Sequence, residues 1–150
     1  MVDYFNDGGI MRTQDYLRQI EKFDAVIRNK QERIEYLRMS LMGQGIDYSS
    51  EKVKTSPRDR LSSTVSEYLD EEMKISQLLK DYTHKRNEII EEMEQLETNH
   101  YMVLYLRYAK HKPFKEIMGE MGIAEQTVFK YHRQALGEFE NKFGKKYLKK

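Results

Sequence analysis

The segment from Leu61 to Leu96 contains a long, regular hydrophobic pattern and reads LSSTVSEYLDEEMKISQLLKDYTHKRNEIIEEMEQL. Its apolar residues follow one another at alternating spacings of four and three positions, and only Glu72 and Arg86 interrupt the series. The apolar members are Leu61, Val65, Tyr68, Ile75, Leu79, Tyr82, Ile89, Met93 and Leu96. This alternation is the heptad repeat of a coiled-coil helix. At about 1.5 Å of rise per residue, such a helix is about 54 Å long.

A second heptad series lies in residues 13–41, where Lys30 occupies the one position that is not apolar. The apolar members are Tyr16, Ile20, Phe23, Ile27, Ile34, Leu37 and Leu41. The two series match if the helices run antiparallel and the numbers of facing residues add up to 102. Lys30 then faces Glu72, and we predict a buried ion pair that fixes the register. The alternative is that Lys30 reaches the edge of the seam and leaves Glu72 in solvent. In the same register Tyr16 faces Arg86, which favours a cation–π contact.

We therefore predict an all-α protein in which residues 1–97 form a long antiparallel coiled-coil hairpin. Gly43 and Gly45 are expected to end the first helix, because glycine disfavours the helical conformation. Residues from about 43 to 60 show no sustained hydrophobic period and are expected to form a mobile loop.

The net charge of +1 conceals a division of charge along the chain. Residues 1–97 carry 15 Lys and Arg against 20 Asp and Glu, whereas residues 98–150 carry 11 against 5. A basic C-terminal segment makes nucleic acid a candidate partner.

Composition and motifs also argue against several classes of protein. No window approaches about 18 uncharged apolar residues, and the N-terminal residues lack the pattern of a secretory signal, so we expect no membrane association. The absence of cysteine excludes disulfides and thiolate metal sites. The four histidines lack metal-ligand spacing, and we find no phosphate-binding loop or catalytic constellation. We expect no metal, no cofactor and no enzymatic activity, and we interpret Glu88, Glu91, Glu92 and Glu94 as a solvated helix face.

Residues 98–150 follow a different pattern. We predict helices over about 98–109, 114–121 and 125–143, with Gly122 at the turn between the second and the third. A short helix, a glycine turn and a longer helix are typical of a helix-turn-helix DNA-binding domain, here followed by a basic tail that is either a solvated end or a source of nonspecific attraction. The residues expected in its core are Leu104, Leu106, Tyr108, Ile117, Met121, Ile123, Val128, Tyr131 or His132, Leu136 and Phe139.

Eight residues are candidates for DNA contacts: Lys112, Lys115, Glu125, Gln126, Thr127, Phe129, Lys130 and Arg133. The two lysines at the start of the supporting helix suit phosphate. On the last helix, Gln126 can read adenine, while Lys130 and Arg133 can bind guanine or phosphate. Phe129 either contacts a thymine methyl group or covers the neighbouring helix. Glu125 either accepts a hydrogen bond from cytosine or favours the helix N-terminus electrostatically.

A set of residues in this segment carries a family resemblance. They are Leu104-x-Leu106-Arg107-Tyr108, Phe114-x-Glu116-Ile117, Met121-Gly122-Ile123, Val128 and Ala135-Leu136. Over about residues 98–140 they resemble region 4 of bacterial sigma factors. With a coiled-coil hairpin ahead of it, the chain resembles small phage and prophage proteins of the RinA/ArpU type, which regulate late gene transcription. Met118 and Ala124 depart from the pattern, which usually has Ala or Gly at the first position and a capping Ser or Thr at the second.

The sequence thus predicts a sequence-specific DNA-binding transcription regulator of a phage or mobile element, in the cytoplasm of a bacterial host. The resemblance implies promoter DNA and RNA polymerase as partners. Two alternatives stay open: a DNA-packaging protein similar to a small terminase subunit, and a protein-interaction module that binds polymerase or another regulator without DNA. The hairpin is expected to serve homodimerisation or partner binding, with a second interface drawn from Leu17, Val26, Leu69, Met73, Leu78 and Ile90.

Overall fold

The computed structural model describes residues 12–46 and 57–148, and in these ranges the chain is helical and contains no β-strand. The side chains are described for residues 12–43 and 63–148. The five helices of the described residues are α1 (Thr13–Ile46), α2 (Pro57–Met93), α3 (Thr98–Leu104), α4 (Phe114–Met121) and α5 (Glu125–Tyr147). The prediction of an all-α protein is confirmed for this part of the chain.

The helix ends differ from the prediction between α1 and α2. Neither Gly43 nor Gly45 ends α1, which continues to Ile46. Each glycine in a helix costs only about 1 kcal/mol, and a long helix can absorb that cost. Helix α2 begins at Pro57, where the missing N–H of proline leaves no hydrogen bond unmade. The loop predicted at about 43–60 is thus helical at both of its ends, and residues 47–56 lie outside the described residues.

The chain divides into two compact units, of which Ala25–Thr83 is the smaller. Its buried apolar residues are Ile34, Leu37 and Ile75, and Tyr68 and Leu79 pack against them. All five belong to the heptad series read from the sequence, so the predicted spacing identifies the side chains that are buried here.

The ion pairs of this unit correct the predicted register. Glu72 accepts a hydrogen bond from the Nε of Arg38 at 2.6 Å, and Arg33 binds Glu71 at 2.9 Å. The predicted Lys30–Glu72 pair is therefore not formed, and Glu72 is only half-buried. The numbers of Arg38 and Glu72 add up to 110 and those of Arg33 and Glu71 to 104, while Ile34 and Ile75 of the shared buried cluster add up to 109, one heptad away from 102. A shift of one heptad again brings seam positions face to face, but it places Lys30 opposite Leu79 and Glu72 opposite Leu37.

The larger unit combines the described parts of Met1–Asp24 and His84–Lys150. The first turns of α1, the last turns of α2, and helices α3 and α5 share its main core. The fully buried members include Leu17, Ile20, Met93, Leu104 and Phe139. A boundary at residue 97 therefore does not coincide with the division into compact units. Leu17 is also not free for the second interface that its off-seam position predicts.

A polar cluster, which we call the α5 clamp, joins three helices of this unit. The Tyr16 hydroxyl donates to Glu92 Oε1 at 2.7 Å, and its ring stacks on Tyr147 with 4.3 Å between centroids. The Nζ of Lys146 donates to Glu92 Oε2 at 2.8 Å and also to Glu88. Burial, together with the hydrogen bond to Glu92, raises the pKa of the Tyr16 hydroxyl. Burial opposes the charge of Lys146, but its bonds to Glu88 and Glu92 raise its pKa nonetheless.

The contacts around the α5 clamp contradict two predictions made from the sequence. Glu92 is buried, so the interpretation of these glutamates as a solvated face is wrong at this position. The predicted Tyr16–Arg86 contact is also wrong, because Arg86 forms an ion pair with Asp24. Asp24 in turn pairs with the Nε2 of His111 at 2.8 Å.

A widened turn ends the helix that begins at Thr98. The N–H of Lys110 bonds to the carbonyl of Tyr105 at 3.0 Å, five residues back, which is the hydrogen bond of a π-helical turn. His111 follows with a φ of 58°, in the left-handed region, and the chain then enters α4. The helix predicted over 98–109 is thus present, with its last turn wound more loosely than an α-helix.

The turn between α4 and α5 depends on glycine. Gly122 adopts φ 65° and ψ 35°, and its N–H bonds to the carbonyl of Met118 at 3.0 Å. A Cβ at Gly122 would meet no atom within 4 Å, so its cost is purely conformational. We expect Gly122→Ala to lower the free energy of unfolding by about 1–2 kcal/mol, as measured by urea denaturation.

The matched control is Gly137→Ala, within α5, where an added Cβ also meets nothing within 4 Å. Here alanine should raise the free energy of unfolding by about 0.5–1 kcal/mol, because it favours the helix. Equal effects of the two substitutions would contradict a requirement for left-handed backbone at Gly122.

Candidate nucleic-acid interface

A second small core fixes α4 against α5. Its buried residues are Leu106, Ile117 and Val128, one from each of the three segments that meet here. The partly buried side chains packed on them are Met102, Phe114, Met118, Met121 and Ile123. The predicted packing of Ile117, Met121 and Ile123 on Val128 is confirmed. Leu104, Tyr108 and Phe139 were expected in the same core, but they belong to the larger cluster with α1 and α2.

Arg107 supports the start of α4. Its guanidinium lies 4.2 Å from the ring centroid of Phe114, and its Nη1 donates to the carbonyl of Lys112 at 3.2 Å. A stacked, hydrogen-bonded guanidinium fixes the path of the chain between α3 and α4. The role of Arg107 in this structure is therefore to position the supporting helix.

His132 binds α5 to the turn that follows α3. Its Nε2 lies 2.8 Å from the hydroxyl of Tyr108, and its ring meets the Phe114 ring edge-on at 5.0 Å. Burial lowers the pKa of His132 to about 4, and the nearby positive charges of Arg107 and Arg18 lower it further. The imidazole is therefore neutral at pH 7, and its Nε2 is hydrogen-bonded to the Tyr108 hydroxyl. The sequence interpretation of His132 as a core residue is confirmed.

The opposite face of α5 presents most of the predicted contact residues to solvent. Glu125, Gln126, Lys130 and Arg133 are exposed, and Thr127 is half-buried. On the supporting helix α4, Lys115 is exposed as well. The structure thus places these residues along the first three turns of α5 and at the start of α4, which pack against each other through the small core.

Phe129 packs against a neighbouring aromatic side chain on this face. Its ring meets that of Phe114 edge-on at 5.1 Å, and 43% of its surface remains exposed. Of the two interpretations given from sequence, the structure therefore shows Phe129 covering the neighbouring helix.

The cations of this surface differ in how they are paired. Lys112 forms an ion pair with Glu120, which neutralises much of its charge. Among the described residues, no ion pair forms at Lys115, Lys130 or Arg133. The candidate interface therefore carries three positive charges that are available to an external anion.

The N-terminus of α5 adds a weaker electropositive element. Ala124 offers no side-chain cap, in keeping with its departure from the family pattern, and Val128 donates the first backbone bond to its carbonyl at 3.0 Å. The earlier N–H groups of the helix point outward without an intrahelical acceptor, which favours negative charge nearby. Glu125, in the first turn, supplies part of that charge itself.

The C-terminal part of α5 differs from the prediction. The helix continues to Tyr147 instead of ending near Phe143, and Lys146 and Tyr147 belong to the α5 clamp. Neither interpretation of the basic tail, as a solvated end or as a source of nonspecific attraction, fits these two residues. The one signal in the sequence is the apolar pair Tyr147-Leu148 among lysines, which indicates burial and not a purely solvated segment.

Comparisons of this chain with known proteins identify no relative. The chain matches no protein-family model, no curated protein and no solved structure. Within residues 12–46 and 57–148 no helix is long and apolar enough to cross a membrane, and no group of three ligating side chains suits a metal ion.

Proposed function

We propose that this protein is a sequence-specific DNA-binding transcription regulator. In this proposal α4, the Gly122 turn and α5 act as a helix-turn-helix, with α5 lying in the major groove. Helices α1 and α2 act as a coiled-coil hairpin that presents this module. The proposal keeps the resemblance to sigma factor region 4 and to RinA/ArpU-type phage regulators, and it places the protein at a promoter in the cytoplasm of a bacterial host.

The observation that carries the proposal is the unpaired positive charge of Lys115, Lys130 and Arg133 on one side of a well-packed helix pair. Exposed cations that already have carboxylate partners gain little from phosphate, whereas these three release counterions from DNA when they bind. Gln126, on the exposed face one turn before Lys130, adds a side chain that can discriminate adenine through two hydrogen bonds.

RNA polymerase is a further proposed partner and rests on the resemblance alone. A contact of this kind would use a surface of the same module, as region 4 does. Phe129, partly exposed beside Phe114, supplies an apolar element for such a contact. This observation also favours the second candidate function, a module that binds a protein and not DNA.

The test begins with capture of fragmented bacterial genomic DNA and sequencing of the bound fraction. An enriched fragment then serves as the probe for fluorescence anisotropy at several salt concentrations. We expect Lys130→Ala and Arg133→Ala each to weaken binding to this fragment by about 5-fold to 100-fold, which corresponds to about 1–3 kcal/mol per base contact. If the replaced residue contacts only phosphate, its substitution should also reduce by about one the slope of the logarithm of the binding constant against the logarithm of the salt concentration.

The matched control is Lys22→Ala, which removes one exposed lysine from α1 and leaves α5 unchanged. It should bind almost as tightly as the parent chain. If no fragment is enriched, or if Lys22→Ala is as damaging as Lys130→Ala, the groove-reading proposal is wrong. Binding to a protein partner that is insensitive to salt would then support the protein-interaction function.

A further inference from the structure

One carboxylate in the larger unit binds two other segments at the same time. Asp24, on α1, accepts a hydrogen bond from the Nε of Arg86 on α2 through its Oδ1. Its second oxygen, Oδ2, lies 2.8 Å from the Nε2 of His111, in the turn that precedes α4. An ionised carboxylate only accepts hydrogen bonds, so Nε2 donates this one. Asp24 therefore connects α1, α2 and the approach to α4 through a single side chain.

The helix positions that carry Asp24 and Arg86 are fixed by burial nearby. Ile20, one turn before Asp24, is fully buried in the main core, and Phe23 packs against that core as well. On α2, Ile89 is buried in the same core three residues after Arg86. Groups carried by well-packed helices keep their positions more closely than groups carried by loops. Asp24 can therefore act as a fixed point for the turn before α4.

The turn that Asp24 binds has an unfavourable backbone conformation. His111 has a φ of 58°, and left-handed backbone outside glycine persists where the surrounding structure holds it. Two other bonds of the turn are local: the N–H of Lys112 bonds to the carbonyl of Leu106 at 3.0 Å, and Arg107 donates to the carbonyl of Lys112. The bond from His111 is different, because it reaches a residue 87 positions away. It therefore relates the position of the turn to α1.

Helix α4 depends on this turn for its position. Among the described residues, the main core shared by α1, α2, α3 and α5 contains none from α4. Helix α4 packs instead in the small core, on Leu106 and Val128. Its first residue, Phe114, follows His111 by three positions, so a displacement of the turn would move the start of α4 together with Lys115. A change at Asp24 should therefore reach the helix that supports α5.

We propose that Asp24 is a positioning residue, which holds His111 and thereby fixes the start of the supporting helix α4. Its effect on DNA rests on the proposed function, whereas its effect on α4 does not. Asp24 carries negative charge, and a negative charge on its own opposes the approach of DNA. The expected effect of removing this carboxylate is therefore opposite in sign to simple electrostatics, because DNA binding should become weaker.

The first experiment is two-dimensional amide NMR spectroscopy of the full chain without DNA. Asp24→Ala and His111→Asn should shift the same signals, those of the turn and of α4, because each removes one side of the same bond. Asparagine tolerates left-handed backbone, so His111→Asn removes the imidazole without disfavouring the conformation of the turn. Glu21→Ala, which removes an exposed carboxylate from α1, should leave those signals in place. Signals of α4 that stay unchanged in Asp24→Ala would overturn the proposal.

The second experiment measures the affinity for the enriched DNA fragment by fluorescence anisotropy. We expect Asp24→Ala and His111→Asn each to weaken binding by about 3-fold to 10-fold, and the double variant to weaken it no further, because both act through one bond. Asp24→Asn should recover part of the loss, because its amide keeps the shape of the side chain and one acceptor oxygen. Glu21→Ala should bind as tightly as the parent chain or slightly more tightly.

The outcomes distinguish the positioning role from the DNA-binding function. If the parent chain binds no DNA fragment but Asp24→Ala shifts the signals of α4, the DNA-binding function is wrong and the positioning role is supported. If the parent chain binds DNA and Asp24→Ala binds it equally or more tightly, Asp24 acts only as a charge and the positioning role is wrong. Fully additive losses in the double variant would also contradict the proposal, since the two residues would then act independently.

Discussion

Replacing Phe139 by alanine should lower the free energy of unfolding by about 3–5 kcal/mol, far more than any substitution on the surface of the protein. Phe139 is fully buried, and its ring lies 5.0 Å from Phe143 and 5.9 Å from Tyr16. It therefore connects α5 to the first turns of α1 and contacts the core that also contains Leu104 and Met93. Removing the ring would leave a cavity bounded by residues of several helices, none of which can close it without distorting the others.

Urea denaturation followed by circular dichroism measures this loss. Phe129→Ala is the control of the same residue type, because Phe129 is 43% exposed and its ring meets that of Phe114 edge-on, whereas Phe139 is fully buried. This substitution should lower the free energy of unfolding by about 1 kcal/mol, because it removes one aromatic pair and a small buried area. Similar losses for the two variants would show that α5 is not anchored through Phe139.

Acid should destabilise the protein through His132. The pKa of His132 is about 4 in the folded chain, below the ordinary value of 6.5 that applies to the unfolded chain. Between these two values the unfolded chain binds a proton that the folded chain does not, so stability is complete above about pH 6.5 and falls as the pH drops towards about 4. The separation of the two pKa values corresponds to a loss of up to about 3 kcal/mol.

The measurement is the free energy of unfolding at a series of pH values across this window. His132→Gln should be less stable than the parent chain near pH 7, because it disturbs the contact with Tyr108, but its stability should depend less on pH. His84→Gln, at an exposed position, should retain the parent dependence. If the parent chain and His132→Gln lose stability in parallel on acidification, another group is responsible.

The helices and much of the packing could be predicted from the sequence because their signals are local and repeated. The four–three spacing identifies Ile34, Leu37 and Ile75 as buried positions, and Gly122 between two apolar segments marks the turn. Register is different, because a shift of one heptad again places seam positions opposite seam positions. The structure selects the shifted register with the Arg38–Glu72 and Asp24–Arg86 pairs, which no local pattern specifies.

The α5 clamp could not be predicted for a related reason. Its members come from residues 16, 88–92 and 146–147, and their contacts depend on how three distant segments meet. From the sequence alone, Glu92 and Lys146 are expected to be solvated, because both are charged and no pattern of neighbouring residues indicates burial. The exposed residues of the candidate interface were easier to predict, because helical spacing relative to Val128 and His132 already separates the buried face of α5 from its outer face.

Helix α5 spans 23 residues, or about 34 Å, and its two ends differ in their contacts. The last turns are fastened by the α5 clamp, whereas Gln126, Lys130 and Arg133 extend into solvent near the first turns. Substitutions at such exposed positions change stability by only about 0.5 kcal/mol or less. Under the proposed function, these three residues could therefore be replaced to change the DNA target while the fold keeps its stability. A library randomised at the three positions would test this directly.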